Sequence, residues 1–390
     1  MNDEATKAEI SRRSLLLAGT ALPVLSVASC GLPLRQAQGQ SLPSQSTPAT
    51  AGNAVAVASS DTTAAIQAKL NSLPAGGTLE FPANSAFNFN RRTVKGKSGI
   101  TILAKGPVTI NGAPGPGTAG AFDFGGMSSW TLRGRAPGQG FVFNNTLVNA
   151  DGSKQGAVGH CVFNNVASND FNGSAIRMTG ASFLLVINND FNDCQGGVLG
   201  HYDWDNIRID GNHFTNCWQP VSIDQGANTS RGRNIKFINN VVDGFGRGGF
   251  ETGGTLDGTN NTPGQVFTGL VIDNNHFINY GTATHWIEVG PVSIVARRQT
   301  GTKVTNNFFI RGSNNPTAWT EAIEICSELG PADTTGNLIV DVASPFPTYG
   351  SAGQNVHGNS VFNASQPIPA GNTTLTARPA DPAQPVRIAW

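Results

Sequence analysis

Charge is what this chain of 390 residues has least of. Only 13% of its side chains are Asp, Glu, Lys or Arg, and 25 basic residues balance 25 acidic ones. A neutral chain has no electrostatic footprint for nucleic acid. Tyrosine and methionine occur three times each, and the five cysteines show no Cys–His spacing of a zinc site. Beyond residue 30 no apolar run approaches the roughly eighteen residues that would span a membrane, so the body reads as soluble. What is abundant is Gly (48 residues), with Asn, Thr and Ser beside it, the profile of an extracellular β-rich protein with many turns.

One phrase recurs down the chain: a short apolar run, then Asn-Asn or Gly-Asn, then an aromatic two residues later. It stands as Val186-Ile-Asn-Asn189-Asp-Phe191, Ile209-Asp-Gly-Asn212-His-Phe214, Ile272-Asp-Asn-Asn275-His-Phe277 and Val304-Thr-Asn-Asn307-Phe-Phe309. Looser copies end at Asn145, Asn169, Asn240 and Asn359, and the spacing runs from 20 to 35 residues with one gap of 52. Such a period with tolerated insertions marks a solenoid, and strands of three to five residues make it a β solenoid. Each unit buries its apolar side only by stacking on the next. The repeated Asn is expected to form a ladder of side-chain amides and the Phe an interior stack, both scaffold. A solenoid grows along one axis, so the length does not require several domains.

Residues 1–30 read as an export signal. Ser11-Arg-Arg-Ser-Leu-Leu-Leu17 resembles a twin-arginine signal, and Val27-Ala28-Ser29-Cys30 resembles a lipobox in which Cys30 is lipidated. The expectation is a periplasmic or cell-surface protein held to a membrane only through Cys30. Residues 31–56 are a flexible tether, 57–363 the solenoid, and 364–390 a Pro-rich tail that lies against the last coil or hangs loose. Cys194 and Cys217 each follow their repeat Asn by five residues and should stack on neighbouring coils; export of a folded chain favours buried free thiols.

Asp61 is placed to cap a helix over residues 62–73, with Ile66 and Leu70 on its apolar face. Gly76-Gly-Thr-Leu-Glu-Phe-Pro-Ala83 then enters the first strand. This opening resembles the N-terminal cap of the pectate-lyase-like superfamily over residues 57–363. The resemblance implies an all-β, single-stranded right-handed parallel β-helix with a capping helix. It implies no single activity, because that superfamily holds lyases, hydrolases, epimerases and tailspikes.

Side chains alternate faces along a strand. If Ile176, Val198, Val221, Phe250, Ile287 and Ile323 point inward, the next residues form an outward column of Arg177, Leu199, Ser222, Glu251, Glu288 and Glu324. A second column two residues on holds His201 and Asp224. Trp286 flanks Glu288 as a sugar-stacking platform, and Tyr202 lies close by. Glutamates one coil apart, about 5 Å, repel by about 3 kcal/mol at an effective dielectric near 20, so three in a row point to a shared proton, a cation or a catalytic task.

Two cleavage chemistries fit. In the first, a glycoside hydrolase uses Glu251 and Glu288 as acid and base or nucleophile, with Asp224 orienting them. His201, Arg177, Trp286, Glu324 and Tyr202 then contact a polysaccharide or oligosaccharide, and no cofactor is needed. In the second, a lyase eliminates across a uronate, with His201, Tyr202, Arg177 or Lys236 as base and Ca²⁺ on Asp203, Asp205, Asp224 and Glu251. The hydrolase ranks first on these residues, and a non-catalytic glycan-binding lipoprotein is the third reading. The Asp-Asp, Gly-His-Gly and Arg-Ile-Lys motifs of polygalacturonases do not occur, so only the scaffold carries over from the resemblance.

Overall fold

The computed structural model describes residues 53–113, 120–166, 174–223, 231–252, 266–279, 292–311, 320–326, 330–347 and 354–390. The signal, Cys30 and nearly all of the tether lie outside the described residues, as do Asp224, Trp286 and Glu288.

The chain winds through three parallel sheets. The first has twelve strands, from Ala54–Ala56 to Gln354–His357; the second has twelve, from Ser85–Asn88 to Thr373–Thr374; the third has nine, from Val94–Lys95 to Glu321–Cys326. Four further strands, from Trp204–Asp205 to Gln299–Thr300, form a small sheet on the corner between the third and the first. Each strand pairs with its equivalent one coil later, as in Phe163↔Phe191↔Phe214. This is a right-handed parallel β-helix, and its core is the stack of inward side chains. Phe191 and Phe214 lie 4.6 Å apart at 4° and Phe277 and Phe309 5.1 Å apart at 4°, as the repeat predicts.

The recurring phrase now has a physical account residue by residue. Its first polar position turns the corner between the first and second sheets with positive φ: Asn188 at 54°, Gly211 at 66°, Asn239 at 55°, Asn274 at 53° and Asn306 at 54°. Asn and Gly are the residues that adopt this left-handed conformation most readily. At Gly211 a Cβ would also stand 2.4 Å from Asn188 Oδ1. The second position is the ladder: the Nδ2 of Asn189, Asn212, Asn240, Asn275, Asn307, Asn337 and Asn359 each donates to the Oδ1 of the next, ending at Asn372. Asn145 is not part of it. It occupies a different left-handed corner, after the strand Phe141–Asn144, where a Phe-Asn-Asn triplet imitates the phrase.

The capping helix runs Thr63–Ser72 and buries Ile66 and Leu70. Its N-cap is Thr62 rather than Asp61, because Thr62 Oγ1 accepts from Ala65 N while Asp61 turns back to Ala58 N and pairs with Lys69. Cys161, Cys194 and Cys217 are buried free thiols, and burial, then the neighbouring Cys194, pushes the Cys217 thiol well up.

The tail does not stop at the last coil. Arg378 reaches Asp341 at 3.7 Å, Ile388 exchanges hydrogen bonds with the Asn188 side chain, and Arg387 pairs with Asp190. Trp390 packs edge-on to His160 with centroids 5.4 Å apart, and Arg133 lies over the same ring at 5.6 Å. Gly159 leaves the space for that indole, since a Cβ there would stand 2.1 Å from it. The tail is therefore a strap over the corner that carries the Asn ladder. Burial lowers the proton affinity of His160, His213 and His276 along its path. Arg387 adds to that effect at His160 and His213, whereas the Gly134 carbonyl, Asp190 and Asp381 respectively oppose it.

Candidate functional site

The register of the third sheet fixes its outward column as Lys95, Asp123, Asn149, Arg177, Leu199, Ser222, Glu251, Val295 and Glu324. The sequence reading of Arg177, Leu199, Ser222, Glu251 and Glu324 as one column agrees with it. The rung between Glu251 and Glu324 does not. There the strand is Val292–Arg297, and Val295 stands where Glu288 was expected. Two windows of that coil carry apolar alternation in sequence; the longer, β-branched Val-Ser-Ile-Val-Ala-Arg forms the strand, and Trp286-Ile-Glu288 lies outside the described residues. Among the described residues no row of three adjacent glutamates stands on this face, because Val295 lies between Glu251 and Glu324.

Glu251 is a buried group, 1% exposed. Gln219 Nε2 donates to its Oε2 at 2.8 Å, and Arg247 Nη2 reaches Oε1 at 3.4 Å. The Arg247 guanidinium in turn lies over the Trp218 ring at 5.5 Å. Gly248 leaves the carboxylate its room, as a Cβ there would come 3.3 Å from Oε2. A carboxylate taken out of water needs such partners, and removing one leaves an uncompensated charge. Glu321 and Glu324, each 3% exposed, stand on the strand Glu321–Cys326 two coils further on, about 10 Å away at the usual strand spacing.

Toward the N-terminus the same face turns open and polar. Arg177 is held by Asp151 through Nε at 2.6 Å and Nη2 at 2.5 Å. Asp123 gathers Lys95, the Gly125 amide and Asn149; burial pushes its carboxyl up, and these partners more than offset that, so it sits below the usual range. His201 lies one coil beyond Arg177 and two residues along, with its ring 6.4 Å from that of Tyr202.

Tyr202 is 54% exposed and has φ of 63°. Phe183, which the sequence reading passed over, is 47% exposed with φ of 55°. A bulky residue in the left-handed region costs of order 1–3 kcal/mol. Lys236 belongs to the first sheet and is remote from this face. Trp204 is buried in the core, and Trp218 serves Arg247.

Of the four residues expected to hold calcium, Asp224 lies outside the described residues, and the other three have partners of their own. Asp203 accepts from Arg231 N at 3.0 Å, Asp205 is paired with Arg233 at 2.8 Å, and Glu251 is committed to Gln219 and Arg247. Among the described residues no three His, Cys, Asp or Glu side chains converge on a metal position. A cavity of about 560 Å³ lies elsewhere, between Arg311, Asp341 and Arg378, and none of the candidate residues lines it.

No family model and no curated protein matches this chain. Solved structures do. The surface adhesin PfbA of Streptococcus pneumoniae aligns with a TM-score of 0.51 at 14% identity, over 80% of this chain and 92% of the adhesin. The tailspike of E. coli bacteriophage HK620 gives 0.52 at 13% identity, over 82% of this chain and 64% of the tailspike. A PL6 alginate lyase gives 0.46 at 16% identity, over 82% of this chain and 61% of the lyase. Identities this low establish the fold alone. The chain has a right-handed parallel β-helix fold, which it shares with that adhesin and that tailspike.

Proposed function

We propose that this chain is an exported, lipid-tethered protein that binds a uronate-containing polysaccharide along its third sheet and cleaves it by β-elimination. The observation that carries this reading is the grouping of Arg177, His201 and Tyr202 on two consecutive coils at the open end of that face. In elimination a base takes the proton from the carbon next to the uronate carboxylate. The electron pair forms the C4=C5 double bond, and the C4–O bond breaks as its oxygen takes a proton from water, releasing the other sugar with a free hydroxyl. Arg177, fixed by Asp151, meets the carboxylate; His201 takes the proton; Tyr202 lies against a ring.

Elimination moves ahead of hydrolysis because Val295 separates the carboxylates and Glu251 is tied to Arg247. A second reading survives on one observation: Glu251 and Glu324 stand two coils apart, at the upper edge of the separation that inverting glycosidases use. Incubation of the purified chain with alginate, polygalacturonate and neutral glycans separates the readings. Ultraviolet absorbance rising together with reducing ends, and lost in His201→Gln, supports elimination. Reducing ends without absorbance, lost in Glu324→Gln, moves the assignment to hydrolysis. Retention on a glycan with neither signal leaves a binding protein. Mass spectrometry of the exported chain tests the anchor, which requires a lipid on Cys30.

A further inference from the structure

Two corner columns of the β-helix are each broken once by an aromatic residue, and the two breaks are neighbours. The first column is Ser129, Gln155, Phe183, Asn206 and Asn234, all with φ between 52° and 55°. Its coils are joined by Gln155 N to Ser182 O, Phe183 N to Asp205 O and Asn206 N to Arg233 O, at 2.8–3.0 Å. Ser129 bonds Gln155 at 3.0 Å and Asn234 bonds Asn206 at 3.2 Å, so Phe183 interrupts a polar side-chain ladder. The second column is Gly126, Gly152, Gly180 and then Tyr202, with φ from 63° to 70°. Gly180 N donates to His201 O at 3.0 Å, which stacks Tyr202 directly after three glycines.

Neither aromatic is buried in the core. Among the described residues the exposed large hydrophobic side chains are Phe183, Tyr202 and Val386, and the first two share one corner. Both stand in a conformation that suits Asn or Gly and strains a bulky side chain. A Cβ on Gly180 would meet nothing within 4 Å, so the space next to Tyr202 is open. Polar groups border it: Asp203 and Asp205, with Arg231 and Arg233 behind them. An apolar ring face with hydroxyl-binding groups at its margin is what a pyranose ring requires, and this corner adjoins the third-sheet face.

We propose that Phe183 and Tyr202 form a sugar-stacking platform that holds successive rings of the polysaccharide at the entrance to the third-sheet face. The inference rests on the glycan-binding reading above and adds a residue and a place to it. Strain kept at two exposed aromatics is then the trade of local stability for binding.

The test is the pair Phe183→Asn and Tyr202→Asn, measured for melting temperature and for affinity to alginate and polygalacturonate. Asn suits both backbones, and at 183 it restores the ladder. Each variant is expected to melt about 2 °C higher and to bind the polymer about 3- to 10-fold more weakly. Tyr202→Phe should retain most of the affinity. A higher melting point with unchanged affinity overturns the platform while leaving the glycan reading intact. A lower melting point with unchanged affinity makes the aromatics packing residues and also overturns it. Absence of binding by the wild-type chain to either polymer removes the uronate reading, and the platform with it.

Discussion

The corner between the first and second sheets and the corner beyond the third use the same left-handed turn to opposite ends. At the first, the turn residues are Asn and Gly, each buried ladder amide is satisfied coil after coil, and the strap from Arg378 to Trp390 covers the surface. At the second, the turn residues include Phe183 and Tyr202, the ladder is broken, and the rings face solvent. Where local preference, hydrogen bonding and burial agree, the residues are scaffold; where they disagree at exposed positions, function is the reason to keep the conflict.

The largest effect is expected at the buried pair under the third sheet. Arg247→Met should take the guanidinium from the buried Glu251 carboxylate and lower stability by about 3 kcal/mol, read from thermal or urea unfolding. A loss below about 1 kcal/mol would make that pair no more than a surface-like contact. Next comes the ladder itself. Asn240→Ala should cost roughly 2 kcal/mol, because it removes the acceptor of the buried Asn212 backbone N–H and breaks the side-chain ladder at that coil. An equal substitution of Asn234, in the exposed ladder, should cost a few tenths.

Removing residues 377–390 should lower stability by about 2 kcal/mol through loss of the Trp390 and Ile388 contacts. It should also flatten the acid limb of the stability profile. His160, His213 and His276 have folded proton affinities below their unfolded ones, so the neutral form is native. Their contribution is complete above about pH 6.5 and is lost as pH falls through the folded values. A truncated chain that keeps the same acid slope would show that the strap is not what buries them. The smallest effects, and the only stabilising ones, are those of the two Asn substitutions at the open corner.

The solenoid was legible because its signal is repeated. The Asn-Asn-x-Phe phrase encodes a turn, a ladder and a core position at once, and the inward column Ile176, Val198, Val221, Phe250 follows from strict alternation. The next rung was misplaced because alternation alone cannot choose between Trp286-Ile-Glu288 and Val292–Arg297; strand length and pairing decide it. Asn337 and Asn372 escaped because their coils lack the full phrase, though they complete the ladder. The strap was invisible for a different reason: Asn188 meets Ile388 across 200 residues, and no local pattern announces such a contact. Phe183 had a faint signal. Aligning the coils on the ladder places it in a column of Gln155, Asn206 and Asn234, where an aromatic is out of place.

Hydrogen exchange of the full chain with and without alginate or polygalacturonate oligomers tests the contrast between the corners most directly. Amides at residues 177–183 and 199–203 should exchange more slowly when the oligomer is present, while those at 157–160, 186–190 and 386–390 should keep their rates. Protection confined to the strap corner, or the same small change at both, would contradict the assignment of function to the open face.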